Sequence, residues 1–290
     1  MGQPHAVASN EEIIEAWDGV LFDRFVEFRE VLVEGLGAHG ELALRENPAL
    51  PGERVVDIGC GFGDTAQRIA GMVGPEGSVL GVDASPRFIE TSRQEAEAAG
   101  VDNVRFEVCD PEDGLEGEFD MAFSRMGTMF FANPVAALRN IRGALRPGGR
   151  LCMVVWRAKV ENPWMYRSEE VVERFVEASE DSDEPTCGPG PFAMANADTV
   201  TGMLVSAGFT DIALRRSDQP MRLGDTVDDA VGLAMASGPA GEVLRLAGDA
   251  AEELRPKIEG ALRDMVGGDF GDGDAPVAPT STWVVTATAP

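Results

Sequence analysis

The chain has 290 residues, with fifty acids against 24 basic residues, a net charge of −26 and a pI near 4.3. A surface this acidic repels nucleic-acid phosphate and anionic lipid, which argues against an enzyme of RNA or DNA and against docking on a membrane. No run of about 18 apolar residues occurs, and residues 1–12 lack the basic and apolar regions of a signal peptide, so a cytoplasmic protein is expected.

The length suits one large domain or one domain with a cap. Cys60, Cys109, Cys152 and Cys187 show no CxxC or Cys/His spacing, so free thiols are expected. His5 and His39 are the only histidines, and neither lies in a core motif, so no metal site is expected. Lys159 and Lys257 are the only lysines. Acid excess with few lysines suits a salt-adapted protein, and GC-rich coding would give the same arginine bias.

Residues 11–35 carry Ile13, Ile14, Trp17, Leu21, Phe25, Phe28 and Leu32 at helical spacing, which predicts one or two helices. Residues 47–52 form a Pro/Gly breaker before the first strand, which runs through Val55 to Ile58. Glycines then alternate at Gly59, Gly61 and Gly63. Ala66, Ile69, Ala70 and Val73 follow at i, i+3, i+4, i+7, a helix. Strands are predicted over 79–83, 104–110, 119–124 and 150–156, with a helix from Pro86, capped by Ser85 and Gly100, and another from Asn133 and Pro134 that ends at Pro147-Gly148-Gly149. Further on, the pattern predicts helices over 169–180 and 198–207. An acidic Pro/Gly stretch reaches Phe192, a strand begins at 212–215 and helical residues fill 226–266. A glycine-aspartate loop over 267–274 and a last strand over 281–287 close the chain. Strands alternating with helices imply parallel βαβ units.

A strand, a side-chain-free loop and a helix make a nucleotide-type cofactor site. The spacing is G-x-G-x-G, one residue shorter than the dinucleotide fingerprint, and Asp57 and Asp64 flank it. Carboxylates there would repel a pyrophosphate and suit a cation. The segment resembles the first motif of the class I S-adenosylmethionine-dependent methyltransferases. The resemblance runs over residues 50–157. It assigns Gly59, Cys60, Gly61 and Gly63 to the loop that passes the methionine portion, and Asp57 to the acid that helps hold its amino group. Asp83, followed by Ala84 and Ser85, matches the ribose-binding acid twenty residues past Gly63, and Asp110 matches the partner of the adenine amino group. Ser124 and Arg125 end the fourth strand on the same crevice. The run from Ser124 to Pro134, with Arg146-Pro147-Gly148-Gly149 and Glu161-Asn162-Pro163-Trp164, resembles a subgroup of bacterial small-molecule methyltransferases whose loop borders cofactor and acceptor.

The resemblance implies a doubly wound, Rossmann-like α/β sheet of seven strands with the last antiparallel. Residues 1–50 would form a helical N-terminal cap, 51–158 the cofactor core, and 159–290 the rest of the sheet with cap insertions at 160–198 and 226–266, all in one structural domain. The cofactor would be S-adenosyl-L-methionine and its product S-adenosyl-L-homocysteine. Trp17, Met129, Phe130, Trp156, Trp164 and Tyr166 are the candidates for the acceptor pocket. No general base is identifiable, so positioning would carry an in-line transfer to an O, N, S or C nucleophile of a small molecule in specialised or cofactor metabolism. Two alternatives stay open: a family member that uses the cofactor for decarboxylation or cyclisation, and a cofactor-binding protein without catalysis. A homodimer is compatible with the sequence.

Overall fold

A computed structural model describes residues 10–176, 189–271 and 275–290. The expectations for His5, Cys187, the acidic stretch at 177–188 and the tip of the glycine-aspartate loop at 272–274 lie outside the described residues.

Three helices open the chain: α1 (Asn10–Asp18), α2 (Val20–Glu27) and α3 (Arg29–Glu46). They are followed by β1 (Arg54–Ile58), α4 (Asp64–Val73), β2 (Ser78–Asp83), α5 (Pro86–Ala99), β3 (Val104–Val108), β4 (Phe119–Arg125), α6 (Pro134–Ala144) and β5 (Leu145–Trp156). The remainder comprises α7 (Pro163–Val172), α8 (Ala197–Ala207), β6 (Thr210–Arg222), α9 (Val227–Ala236), α10 (Gly238–Ala247), α11 (Asp249–Phe270) and β7 (Val277–Thr288).

The seven strands form one sheet in the order β3-β2-β1-β4-β5-β7-β6. β1 pairs in parallel with β2 and β4, and β7 runs antiparallel to both β5 and β6. β1, β4 and the Leu151–Trp156 half of β5 are almost wholly buried because helices cover both their faces. α4 buries Ala66, Ile69, Ala70 and Val73 against them, the face read from its spacing. The chain winds outward from β1 to β3 and returns on the other side of β1 as β4. Beyond the carboxyl ends of β1 and β4 lies the switch point where open α/β sheets take their ligands.

Several boundaries differ from the sequence expectation. α6 stops at Ala144, and Pro147-Gly148-Gly149 lies inside β5, where the pairing with β4 shifts register between Phe119 and Met121. The helix expected at 169–180 starts at Pro163, the first residue after Asn162, and ends at Val172. Asn162 fixes that start: it is fully buried, its Oδ1 accepts from Ser281 N at 2.9 Å, and its Nδ2 donates to Ser281 O at 3.2 Å. β6, expected to begin at 212–215, begins at Thr210 and runs on to Arg222, because its pairing with β7 continues that far. Residues 267–270, expected in a loop, complete α11. The helical stretch after β6 is three helices, broken at Ser237 and Gly248.

Candidate functional site

The residues of the glycine motif assemble at the switch point. Gly59, Gly61 and Gly63 have φ of +67°, +54° and +80°, a region that L side chains avoid. Their spatial demands differ. A Cβ on Gly59 would lie 2.9 Å from Gly127 Cα, where the turn after β4 presses on the motif loop; on Gly63 it would lie 2.7 Å from the Phe106 ring. On Gly61 the nearest atom would be Phe88 Cδ1, at 4.0 Å, so this glycine faces open space. The loop is tied to β2 by Gly59 N and Cys60 N, which both donate to Val82 O at 2.8 and 3.0 Å.

Asp57 ends β1 beneath this loop. Its side chain is 1% exposed, and Oδ2 has no hydrogen-bond partner. Burial pushes its carboxyl up to about 8, against the pull of Arg125; the charges of Asp64 and Asp83 raise it further. An unpartnered buried carboxylate oxygen is costly, and a cationic ligand donating to it would remove the cost.

The pairing Asp57↔Phe123 puts Arg125 two residues beyond on the same face of the sheet. Arg125 is not free in the crevice. Its Nη2 donates to Asp64 Oδ2 at 2.8 Å, with side-chain exposures of 14% and 26%. Gly40 of α3 leaves room for its stem, since a Cβ there would sit 3.0 Å from Arg125 Cδ. The expectation that Asp64 stands ready for a cation is therefore corrected: its charge is committed to Arg125. Ser124 is fully buried, and its Oγ donates to Ile58 O at 2.8 Å, fastening β4 to β1. Past it, Met126 is held at φ +63°, an uncommon conformation for a non-glycine residue.

Asp83 ends β2. Its Oδ2 accepts from Gly61 N at 3.0 Å and its Oδ1 from Ser85 N at 3.0 Å. Burial pushes its carboxyl up and these two backbone bonds pull it down. Each oxygen keeps a lone pair for a second donor. Ser85 is buried and caps α5, accepting from Phe88 N at 3.4 Å. Cys60, also buried, has its thiol pushed well up by burial and by Asp83, so it is no nucleophile. Asp110 follows β3 and is half-buried; its Oδ1 accepts from Glu112 N at 2.8 Å.

The six aromatic and apolar candidates separate. Trp17 and Phe130 meet edge-to-face at 4.8 Å, and Trp17 also lies 6.4 Å from Phe88. Met129 and Trp156 belong to the core: Met129 Sδ accepts from Trp156 N at 3.3 Å, and the Trp156 ring packs on His39 at 6.0 Å. Trp164 is buried with an unpartnered Nε1. Tyr166, half-buried, donates its hydroxyl to Glu170 at 2.8 Å, beside the Arg167–Glu170 ion pair.

Two rim residues carried no sequence signal. Asn10 donates from Nδ2 to Asp110 Oδ2, and Asp18 Oδ1 accepts from Ser85 Oγ at 2.7 Å. Both contacts span more than sixty residues, beyond the reach of any local pattern.

The fold is a doubly wound α/β sheet, and a glycine loop with Asp57, Asp83 and Asp110 gathers at the carboxyl ends of its strands. The sequence model of the family described as a methyltransferase domain matches residues 50–203, more than half of the chain, and the chain belongs to that family. It is similar to aklanonic acid methyltransferase DauC of Streptomyces sp. (strain C5), with 38% identity over 111 residues, 37% of this chain and 50% of that protein. It is also similar to the 2-phytyl-1,4-naphtoquinone methyltransferase of Trichormus variabilis, with 30% identity over 150 residues, 46% of this chain and 62% of that protein. The chain thus spans about half to three-fifths of the length of these relatives. Its fold is similar to that of the YcgJ protein of Bacillus subtilis, with a TM-score of 0.55 at 18% identity, covering 88% of this chain and 97% of that one.

Proposed function

We propose that the protein is a methyltransferase that takes its methyl group from S-adenosylmethionine and passes it to a small-molecule acceptor. The observation that carries this reading is the unpartnered, buried Asp57 Oδ2 under a glycine loop whose middle member, Gly61, faces open space. A ligand with an ammonium group and no phosphate suits that site. The remaining residues fit such a ligand. Asp83 keeps acceptor capacity for ribose hydroxyls beside Gly61 and Ser85, and Asp110 offers a carboxylate to the adenine amino group. The cofactor supplies a methyl group already activated on a sulfonium. The protein's part is to bind, orient and exclude water. Asp57 would hold the amino group, Gly61 would let backbone approach, and Trp17 with Phe130 lays apolar surface over the crevice mouth.

The relatives are named for aklanonic acid and for 2-phytyl-1,4-naphtoquinone, and an apolar, ring-bearing acceptor in specialised metabolism is the class we assign here. Trp164, whose indole N–H has no partner, is the residue we assign to orient an acceptor oxygen. The cap segments at 160–198 and 226–266 would shape that side of the pocket. A net charge of −26 suits a cytoplasmic enzyme of small molecules and opposes binding to nucleic acid. Among the described residues no helix is long and apolar enough to cross a membrane.

Calorimetric titration with S-adenosylmethionine tests the cofactor assignment. Binding is expected for the wild type and a loss of at least tenfold, about 1.4 kcal/mol, for Asp83→Ala; equal binding by the variant refutes it. Incubation with methyl-labelled cofactor and ring-bearing acceptors tests the transfer. A product that carries no label would show that the cofactor serves another reaction.

A further inference from the structure

α1 lies at the crevice rim without burying any of its residues, and α2 buries only Phe22. α2 is anchored by Phe22 and Phe25, which pack on Phe62 and Phe88, while α1 adds polar ties aimed at the proposed cofactor residues. At one end Asn10 donates to Asp110. At the other, Asp18 Oδ1 accepts from Ser85 Oγ at 2.7 Å and from Arg87 N at 2.9 Å, and Arg87 reaches on to Asp23 at 2.7 Å. Between them Trp17 rests on Phe88 and Phe130. A segment with so little buried apolar surface opens at lower free energy than the body of the protein.

The contact at Asp110 has a specific chemistry. Oδ1 accepts from Glu112 N and Oδ2 from the Asn10 amide, so the Asn10 side chain stands against Oδ2 on the side from which a ligand's donor would approach. An NH2 group on a planar carbon is also the donor that an adenine presents. We propose that α1 is a strap that competes with the adenine end of the methyl donor for Asp110. In the closed form the strap covers this subsite, and the cofactor binds the fraction of molecules in which Asn10 has let go. The apparent affinity is then the intrinsic one reduced by that open fraction. The inference rests on Asp110 being the adenine partner, as proposed above.

The test uses the full chain and S-adenosylhomocysteine as the probe, followed by calorimetry and stopped-flow fluorescence, with Asn10→Ala, Asn10→Asp and Asp110→Asn beside the wild type. Removing one hydrogen bond to a half-exposed carboxylate is expected to tighten binding about 3- to 10-fold in Asn10→Ala, with a faster association rate. Asn10→Asp sets a like charge against Asp110 and should tighten at least as much. Amide exchange over residues 10–18 of the wild type should accelerate at saturating probe. If Asp110→Asn weakens binding while both Asn10 variants bind as the wild type does, or more weakly, the strap is refuted and the subsite stands. If Asp110→Asn itself binds like the wild type, the adenine assignment fails and the strap fails with it.

Discussion

Asp57 has one carboxylate oxygen without a partner and 1% of its surface exposed. The sign of its effect on stability follows from a folded value of about 8 against 3.8 for a free carboxyl. Between those values the unfolded chain loses a proton that the folded chain keeps, so stability falls as pH rises from about 4 to 8. At pH 7 the cost is roughly 4 kcal/mol. Asp57→Asn should therefore melt higher than the wild type at pH 8 and nearly level with it at pH 4, while losing affinity for S-adenosylmethionine. An ammonium on Asp57 would lower its carboxyl, so cofactor binding at pH 7 should release close to one proton; titration in buffers of different ionisation enthalpy measures it, and Asp57→Asn should abolish it. The motif glycines should separate in the same way. Gly59→Ala places a Cβ 2.9 Å from backbone at φ +67°, and should lower stability by about 3 kcal/mol or more. Gly61→Ala meets only open space at φ +54°, and should cost about 1 kcal/mol of stability while blocking the ligand. Denaturant melts and titrations of both variants would show the split. Much of this was legible in the sequence, because the glycine spacing and the strand-end acids are local. The fate of Asp64, Met129, Trp156 and Tyr166 was not, since each was decided by a partner distant in sequence or by the direction in which its helix or strand turned it.

At the level of helices and strands, caps explain which boundaries could be read. Ser85 with Pro86, and Gly100 in the left-handed region, bracket α5 as their residue types require. α9 starts with a capping box in which Thr226 Oγ1 accepts from Asp229 N at 3.2 Å and Asp229 Oδ2 accepts from Thr226 N at 2.9 Å. Thr226→Ala should cost about 1 kcal/mol and lower the melting temperature by a few degrees without changing cofactor affinity. Equal loss of affinity would place α9 closer to the cofactor than its position beyond β6 suggests. Where a boundary depended on tertiary pairing the pattern misled. β6 continues through polar residues because its backbone pairs with β7, and α7 begins early because Asn162 is clamped to Ser281.

Across the assembled protein, His39 links the N-terminal helices to the far edge of the sheet. It is fully buried in α3, with Nε2 2.8 Å from Thr280 Oγ1 and Nδ1 3.0 Å from Thr282 Oγ1 and 3.2 Å from Ser217 Oγ. Burial lowers its value from 6.5 to about 4, against the charge of Asp218. The unfolded chain takes up a proton below about pH 6.5 that the folded chain refuses, so stability is full above that pH and falls towards pH 4, by roughly 3 kcal/mol. Denaturant unfolding of the wild type and His39→Gln at pH 7 and pH 4.5 checks this: the difference between them should narrow at the lower pH.

The sequence by itself determined the parallel core, the glycine loop and the strand-end acids, because each is written in residues close together along the chain; the antiparallel last strand came only from the family resemblance. Only the tertiary structure decided that Arg125 neutralises Asp64, that Asp57 is left without a partner and that Asn10 sits on Asp110. The two pairs lie 61 and 100 residues apart, brought together by sheet order and helix packing, and no local periodicity encodes them.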